Sequence, residues 1–297
     1  MKSRPRPHPP HRDPRREPPV HRPRPHASPE SPPSLARLAR ARTPARTGEF
    51  RAPGAQGETI LGLRAGLAVF DRRKEEIVRV AYAGAVARDV EALARWAESR
   101  RLPCDEVPEH ELHRIAGSDL HEGLCVLARE RRWASSADLA DLLVRTRGTA
   151  IALDRVRNPY NVGAILRSAA FFGVGAVLLG TPAPHPGLPP LAVRVAEGGA
   201  EHVVLARTTD LADTLSRLKT KGVRVVGTDG HAQDSVLGFA FRRPTILVLG
   251  NEREGLLDRV RAQCDAVVRI PGTGAVESLN VGVAAGVMMA ELTRRKT

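Results

Sequence analysis

Six short apolar runs recur through the C-terminal half of the chain, at 150–153, 176–179, 203–206, 223–227, 245–249 and 266–270. Between most of them lie stretches that read as helices, at 162–172, 211–219, 256–264 and 279–292. The short runs do not alternate apolar with polar residues. Strands of that kind are covered on both faces, which predicts an α/β domain built on a parallel sheet. In such sheets ligands sit beyond the carboxyl ends of the strands. The domain is expected to span 148–297.

A smaller α/β unit is expected over 57–128. There 59–70 reads as a helix, 76–81 as a strand, 86–100 as an amphipathic helix, 107–116 as a short helix and 123–128 as a strand. Residues 129–147 open with Arg129-Glu130-Arg131-Arg132 and continue weakly helical, so they read as a linker. Residues 1–46 hold 13 of the 24 prolines and almost no aliphatic side chains before Leu35. Such a segment cannot bury a core and is expected to be a disordered basic tail.

Charge sharpens this division. The net charge is +13, and 1–46 alone hold 12 Lys/Arg against 3 Asp/Glu. That imbalance points to a polyanion, most often nucleic acid, with an anionic membrane surface as the competing reading. No apolar run reaches the ~18 residues that cross a bilayer, and no secretory signal is read at the N-terminus. Cys104, Cys125 and Cys264 are odd in number and far apart, so neither a disulfide framework nor a zinc site is indicated and a cytoplasmic location is expected. There is no G-x-G-x-x-G after a strand and no Walker A sequence.

Three loops carry candidate chemistry. The first, Asp154-Arg155-Val156-Arg157-Asn158-Pro159-Tyr160-Asn161, leads into a helix in which Arg167 interrupts small and apolar residues. Asn161 is placed to cap that helix. An isolated guanidinium among Ala164, Ile165, Leu166 and Ala169 calls for an anion, and a phosphate suits its planar fork. The second loop, Gly250-Asn251-Glu252-Arg253-Glu254-Gly255, follows a buried strand, and Gly250 allows close backbone approach to a ligand. The third runs from Ile270 through Gly272 and Gly274 to Ser278-Leu279-Asn280, where Ser278 is placed to cap the last helix.

In this order and spacing the three loops resemble the signature motifs of the SpoU (TrmH-like) branch of the SPOUT superfamily of RNA methyltransferases. The match covers about 150–292, and 57–128 is more loosely similar to the substrate-binding domain found in front of many members. The resemblance implies a deep trefoil knot, a homodimer packed through the first and last helices of the large domain, and S-adenosylmethionine (SAM) as methyl donor without a metal. It places the adenosine among backbone groups around Thr228, Gly250, Ile270 and Leu279. It implies methylation of a ribose 2′-hydroxyl in rRNA or tRNA.

Arg167 carries a catalytic part in this resemblance, and Asn161, Glu252, Ser278 and Asn280 are the other catalytic candidates. Removing a proton from arginine at neutral pH costs roughly 8 kcal/mol, which argues against Arg167 as a base. Arg167 is expected to grip the phosphate beside the target ribose and lower the charge cost at the attacking oxygen. Asn161 would orient that nucleotide or Arg167, Glu252 would pair with the partner's Arg167, and Ser278 and Asn280 would shape the methyl site. The family often has a second serine after Asn-Val, where this chain has Gly282. That change is compatible with an alternative reading, a non-catalytic RNA-binding or ribosome-assembly protein that kept the fold. A metal role for His202 is not expected, since no second ligand sits at suitable spacing.

Overall fold

The structure, a computed structural model, describes residues 57–180 and 187–294. The expected basic tail at 1–46 lies outside the described residues.

The small unit holds strands β1 (Gly57–Leu61), β2 (Ile77–Ala83), β3 (Cys104–Val107) and β4 (Leu124–Arg129), in the order β1-β4-β2-β3. Helices α1 (Leu63–Arg73), α2 (Glu91–Ser99) and α3 (Glu109–Ala116) accompany them. The single helix expected over 59–70 is corrected here to a strand and then a helix. Gly62, at φ 100°, turns the chain between them. Thr59 and Ile60 pair antiparallel with Leu127 and Val126, partners too distant in sequence for local periodicity to reveal. The helix expected from 107 likewise begins later. Val107 ends β3, and Pro108 stands immediately before α3.

The large unit is a seven-stranded sheet, β7-β6-β5-β10-β8-β11-β9. Its strands are β5 (Thr149–Leu153), β6 (Ala176–Leu179), β7 (Val204–Arg207), β8 (Arg224–Thr228), β9 (Asp234–Ser235), β10 (Thr245–Leu249) and β11 (Ala266–Arg269). Each pairing is parallel. Every residue of β5, β6 and β10 is buried, as their uninterrupted apolar sequences imply. Period-two geometry sends Ile151 and Leu153 of β5 to one face and Ala150 and Ala152 to the other.

Helices α5 (Pro159–Phe172), α6 (Pro190–Val195) and α9 (Val281–Thr293) cover the first face, through Ile165, Leu166, Ala192, Ala285 and Met289. Helix α7 (Leu211–Thr220) and the short α8 (Asp258–Arg261) cover the second. They are joined there by α4 (Ser136–Thr146), which lies in the segment expected as a linker. A Ser135–Asp138 capping box starts α4, and Leu139, Ala140 and Leu143 bury its apolar stripe. Full burial of a leucine is worth about 1.5–3 kcal/mol, so this helix is part of the core.

The two sheets are joined by a charged seam. Arg73 at the end of α1 donates to Glu58 and Glu201, both at 2.8 Å. Arg131 donates to the same carboxylates at 2.7 and 3.2 Å. A second contact joins Arg194 of α6 to Glu122 and to the carbonyl of Leu120 in the small unit.

Candidate active site

Each of the three loops leaves the large sheet at the carboxyl end of a strand. The first follows β5 and the second follows β10, the strand paired beside it. The third follows β11, which pairs with β8, the other neighbour of β10. The fold therefore gathers at one sheet edge three loops that the sequence holds apart.

Asn158 caps α5, with its side-chain oxygen accepting from the Tyr160 N–H at 2.9 Å. The cap expected at Asn161 is therefore three residues early, where Pro159 can occupy the first helical position at no hydrogen-bonding cost. Asn161 is freed for another task. It lies in the first turn of α5, only 9% exposed, and its Nδ2 donates to Glu252 Oε1. Its Oδ1 accepts from Asn280 Nδ2 at 3.0 Å. The Oδ1 of Asn280 then accepts from the N–H groups of Gly282 and Val283 at 2.9 and 3.3 Å, so Asn280 caps α9 in place of the expected Ser278.

The row Glu252–Asn161–Asn280 thus joins one residue from each loop. A carboxylate can only accept and a helix N-terminus can only donate. These two ends fix the orientation of both amides between them.

Other bonds knit the first two loops together, and sequence reasoning missed them. Asp154, 1% exposed at the end of β5, accepts from the Leu257 N–H at 2.8 Å. Arg155 donates to Glu254 and to the Gly255 carbonyl, and the Asn251 side chain donates back to the Arg155 carbonyl. The one sequence signal available was a charged pair closing a buried strand. Gly250 serves this same turn. A Cβ there would lie 2.4 Å from the Gly255 carbonyl carbon, so its close approach is to its own loop.

Thr228, Gly250 and Ile270 end or directly follow three adjacent strands, β8, β10 and β11. The Thr228 hydroxyl donates to the Val248 carbonyl at 3.0 Å, which ties two of those strand ends together. All residues from Pro271 to Asn280 are exposed, Ser278 among them. Val276 and Leu279 present apolar surface in that loop.

Arg167 is not brought into this cluster. It stands six residues beyond Asn161, about 9 Å along α5. Its side chain is 55% exposed and pairs with Glu197 at 3.0 Å. Tyr160, Ala164 and Phe171 share its outward stripe on the helix.

Next to Thr228, the Asp229 carboxyl is held below the ordinary carboxylate range by the His231 N–H, with burial opposing and Arg261 assisting. Burial pushes the Cys125 thiol up to about 12 and that of Cys264 to about 11, so both are protonated at neutral pH and neither is a ready nucleophile. The His202 ring is occupied by Arg72 at 2.8 Å. Among the described residues no group of three or more His, Cys, Asp or Glu side chains is placed to hold a metal ion.

Residues 148–290 match the SpoU rRNA Methylase family. Residues 59–134 match the RNA 2′-O ribose methyltransferase substrate-binding family. The chain is 33% identical to the uncharacterized tRNA/rRNA methyltransferase YfiF of Escherichia coli O157:H7 over 83% of its own length and 70% of that protein's. It is 36% identical to the 23S rRNA (guanosine-2′-O-)-methyltransferase RlmB of Ralstonia nicotianae, over 76% of this chain and 84% of that one. Among solved structures it is similar to an rRNA methyltransferase from Sinorhizobium meliloti, with TM-score 0.68 and 26% identity, covering 80% of this chain and 87% of that one. The AdoMet-bound form of that enzyme superposes with TM-score 0.67 over 80% of this chain and 86% of that one.

Proposed function

The chain belongs to the SpoU rRNA methylase family, and on that footing we propose that it is a SAM-dependent RNA methyltransferase acting on a ribose 2′-hydroxyl of rRNA or tRNA. The observation that carries this reading is the row Glu252–Asn161–Asn280, which locks three motif loops together at one sheet edge. The crevice outside strand ends is where such sheets bind ligands. Thr228, Gly250, Ile270 and Leu279 are the residues that would hold the cofactor. Thr228, Gly250 and Ile270 offer backbone groups at the ends of adjacent strands and Leu279 an exposed apolar side chain in the third loop, which suits an adenosine. When bound, SAM supplies a methyl group already made electrophilic by its sulfonium sulfur.

The protein's own task is then alignment and charge control. Asn161, held by Glu252 and Asn280, fixes the loops against which the ribose is placed. Arg167 grips the adjoining phosphate and eases the build-up of charge on the attacking 2′-oxygen. Ser278, exposed beside Asn280, shapes the methyl site.

Because Arg167 stands apart from this cluster in one protomer, the reading includes a homodimer. On α5, Tyr160 and Phe171 are 56% and 82% exposed, and on α9 Val283 is 55% exposed. Small residues, Ala164, Gly286 and Ala290, lie between and beside them and allow close helix approach. Pairing two such faces buries the apolar row and carries Arg167 toward the Glu252 cluster of the second copy. The family's knot is part of the same proposal, supported by the insertion of β10 between β5 and β8.

The test is methyl transfer from labelled SAM to rRNA and tRNA by the wild type, Arg167→Lys and Arg167→Ala, with SAM affinity measured by calorimetry. SAM affinity should stay within about twofold, while Arg167→Ala should lose roughly 100-fold in transfer rate. Wild-type rates in both variants would remove Arg167 from the mechanism. A wild-type protein that binds RNA but not SAM at high micromolar concentration would favour the non-catalytic reading, with which Gly282 is compatible.

A further inference from the structure

The turn Glu197-Gly198-Gly199, between α6 and β7, is wedged between helices of the two units. A Cβ on Gly198 would lie 2.7 Å from the Cβ of Ala68 on α1. A Cβ on Gly199 would lie 2.8 Å from the Cα of Arg167 on α5. One glycine therefore admits each helix. Glu197 itself adopts a left-handed backbone, φ 45°, which is unfavourable for a residue with a long side chain.

The strained residue places its carboxylate between two arginines, one from each helix. Its Oε1 faces Arg167 Nη1 at 3.0 Å, and its Oε2 accepts from Arg64 Nη1 at 3.0 Å. The Glu197 side chain is 24% exposed, against 72% for Arg64 and 55% for Arg167. The anion is thus the more buried member and both cations reach solvent. One carboxylate cannot neutralise two guanidiniums, so a net positive charge remains on exposed atoms. Each guanidinium has five N–H donors and most stay available for another anion.

We propose that Glu197 is a positioning residue that tethers Arg167 to Arg64, so that the two arginines form one phosphate grip spanning the small and large units. RNA seated on the small unit then meets Arg167 already aimed. The proposal rests on the reading that Arg167 contacts RNA phosphate, and Arg64 becomes a second phosphate contact.

The experiment compares Glu197→Asn and Glu197→Gln with wild type in full-length protein. Asparagine suits the left-handed backbone, carries no charge and is one methylene shorter, so it weakens the tether to both arginines without straining the turn. Single-turnover transfer at saturating RNA and SAM should fall about tenfold or more in Glu197→Asn, with Glu197→Gln in between because it keeps one acceptor. RNA affinity should be unchanged or tighter, since a negative charge is lost, and SAM affinity should not move. Arg64→Ala should weaken RNA binding and lower its log–log salt slope by about one. In an Arg167→Ala background, Glu197→Asn should cost no further rate, which a merely structural role would not produce.

Wild-type rates in both Glu197 variants, or a rate loss that adds in full to that of Arg167→Ala, would overturn the proposal. If Arg167→Ala alone transfers methyl at the wild-type rate, it is the underlying reading that fails, and that outcome is read independently of Glu197.

Discussion

The seam between the two sheets and the row at the sheet edge are both polar clusters built from distant loops, yet they are satisfied in opposite ways. In the seam, Glu58, Arg73, Arg131 and Glu201 have side chains only 5–14% exposed, and each carboxylate meets both arginines. Burial pulls on the Arg73 guanidinium, but Glu201 and Glu58 outweigh it and raise its pKa above the ordinary arginine value. A group whose pKa is raised in the fold contributes stability that is lost only as pH rises through that raised value. The arginine side of the seam is therefore silent across the neutral range. In the edge row, by contrast, two of the three members are neutral amides, and both outer members, Glu252 and Asn280, are exposed residues. Charges saturated by one another hold two units in fixed relation. Amides pinned at both ends, with a carboxylate at the rim, leave capacity for a ligand.

Removing one member of the seam should have the largest effect. Arg131→Ala leaves two buried carboxylates sharing a single arginine, and breaking a buried ion pair from one side costs about 3–5 kcal/mol. At roughly 2–4 °C per kcal/mol for a chain of this size, the melting midpoint should drop by about 10 °C. Thermal denaturation followed by circular dichroism measures this. A midpoint within a degree or two of wild type would mean that the two units do not depend on the seam.

The edge row should respond in rate more than in stability. Asn161→Ala removes the link between Glu252 and Asn280, and about 100-fold loss of methyl transfer is expected from the misplaced loops. The stability cost should be only about 1–2 kcal/mol, because both former partners reach solvent or keep the α9 cap. A large fall in melting midpoint with little change in rate would reverse the contrast between the two clusters.

That contrast also explains what the sequence could reveal. The large sheet was legible because β5, β6 and β10 are buried on both faces and carry unbroken apolar runs. The edge-row residues were identifiable as motif members, but their partners were not. Capping chemistry could not choose between Asn158 and Asn161, or between Ser278 and Asn280, because each pair offers two capable side chains within three positions. Strand β1 was hidden by its distant partner β4. The seam left no sequence signal, since a glutamate and an arginine look solvated until the fold brings them together. The same holds for Glu197 beside Arg167.

Acid should separate the two regions to a smaller degree. Asp229 follows Thr228 at the sheet edge, and its carboxyl is depressed first by the His231 N–H, then through Arg261. A depressed carboxylate adds stability that is present above its unfolded pKa, about 3.9, and lost as pH falls through the lower folded value. Thermal midpoints of wild type should therefore decline below about pH 4, and Asp229→Asn should show a shallower decline there while matching wild type's slope near pH 7. An unchanged acid limb in the variant would show that Asp229 contributes nothing to it.

The smallest effect is expected at Gly282, where the family's usual serine hydroxyl can be restored. A Cβ at this position would lie 3.1 Å from Asn280 Oδ1, 3.4 Å from Ala164 Cβ and 3.9 Å from Asn161 Oδ1. The neighbours must give by a few tenths of an ångström. Asn280 caps α9 through the Gly282 and Val283 N–H groups, so a small shift leaves the cap intact. A serine hydroxyl would add one donor beside a row whose amides already have partners at both ends. Gly282→Ser should therefore change the transfer rate by less than about threefold and the melting midpoint by about 2 °C or less. Parallel rate and melting measurements decide the matter. A gain of a hundredfold would show that the row is incomplete in this chain and that the hydroxyl, not the amide chain, sets the methyl site.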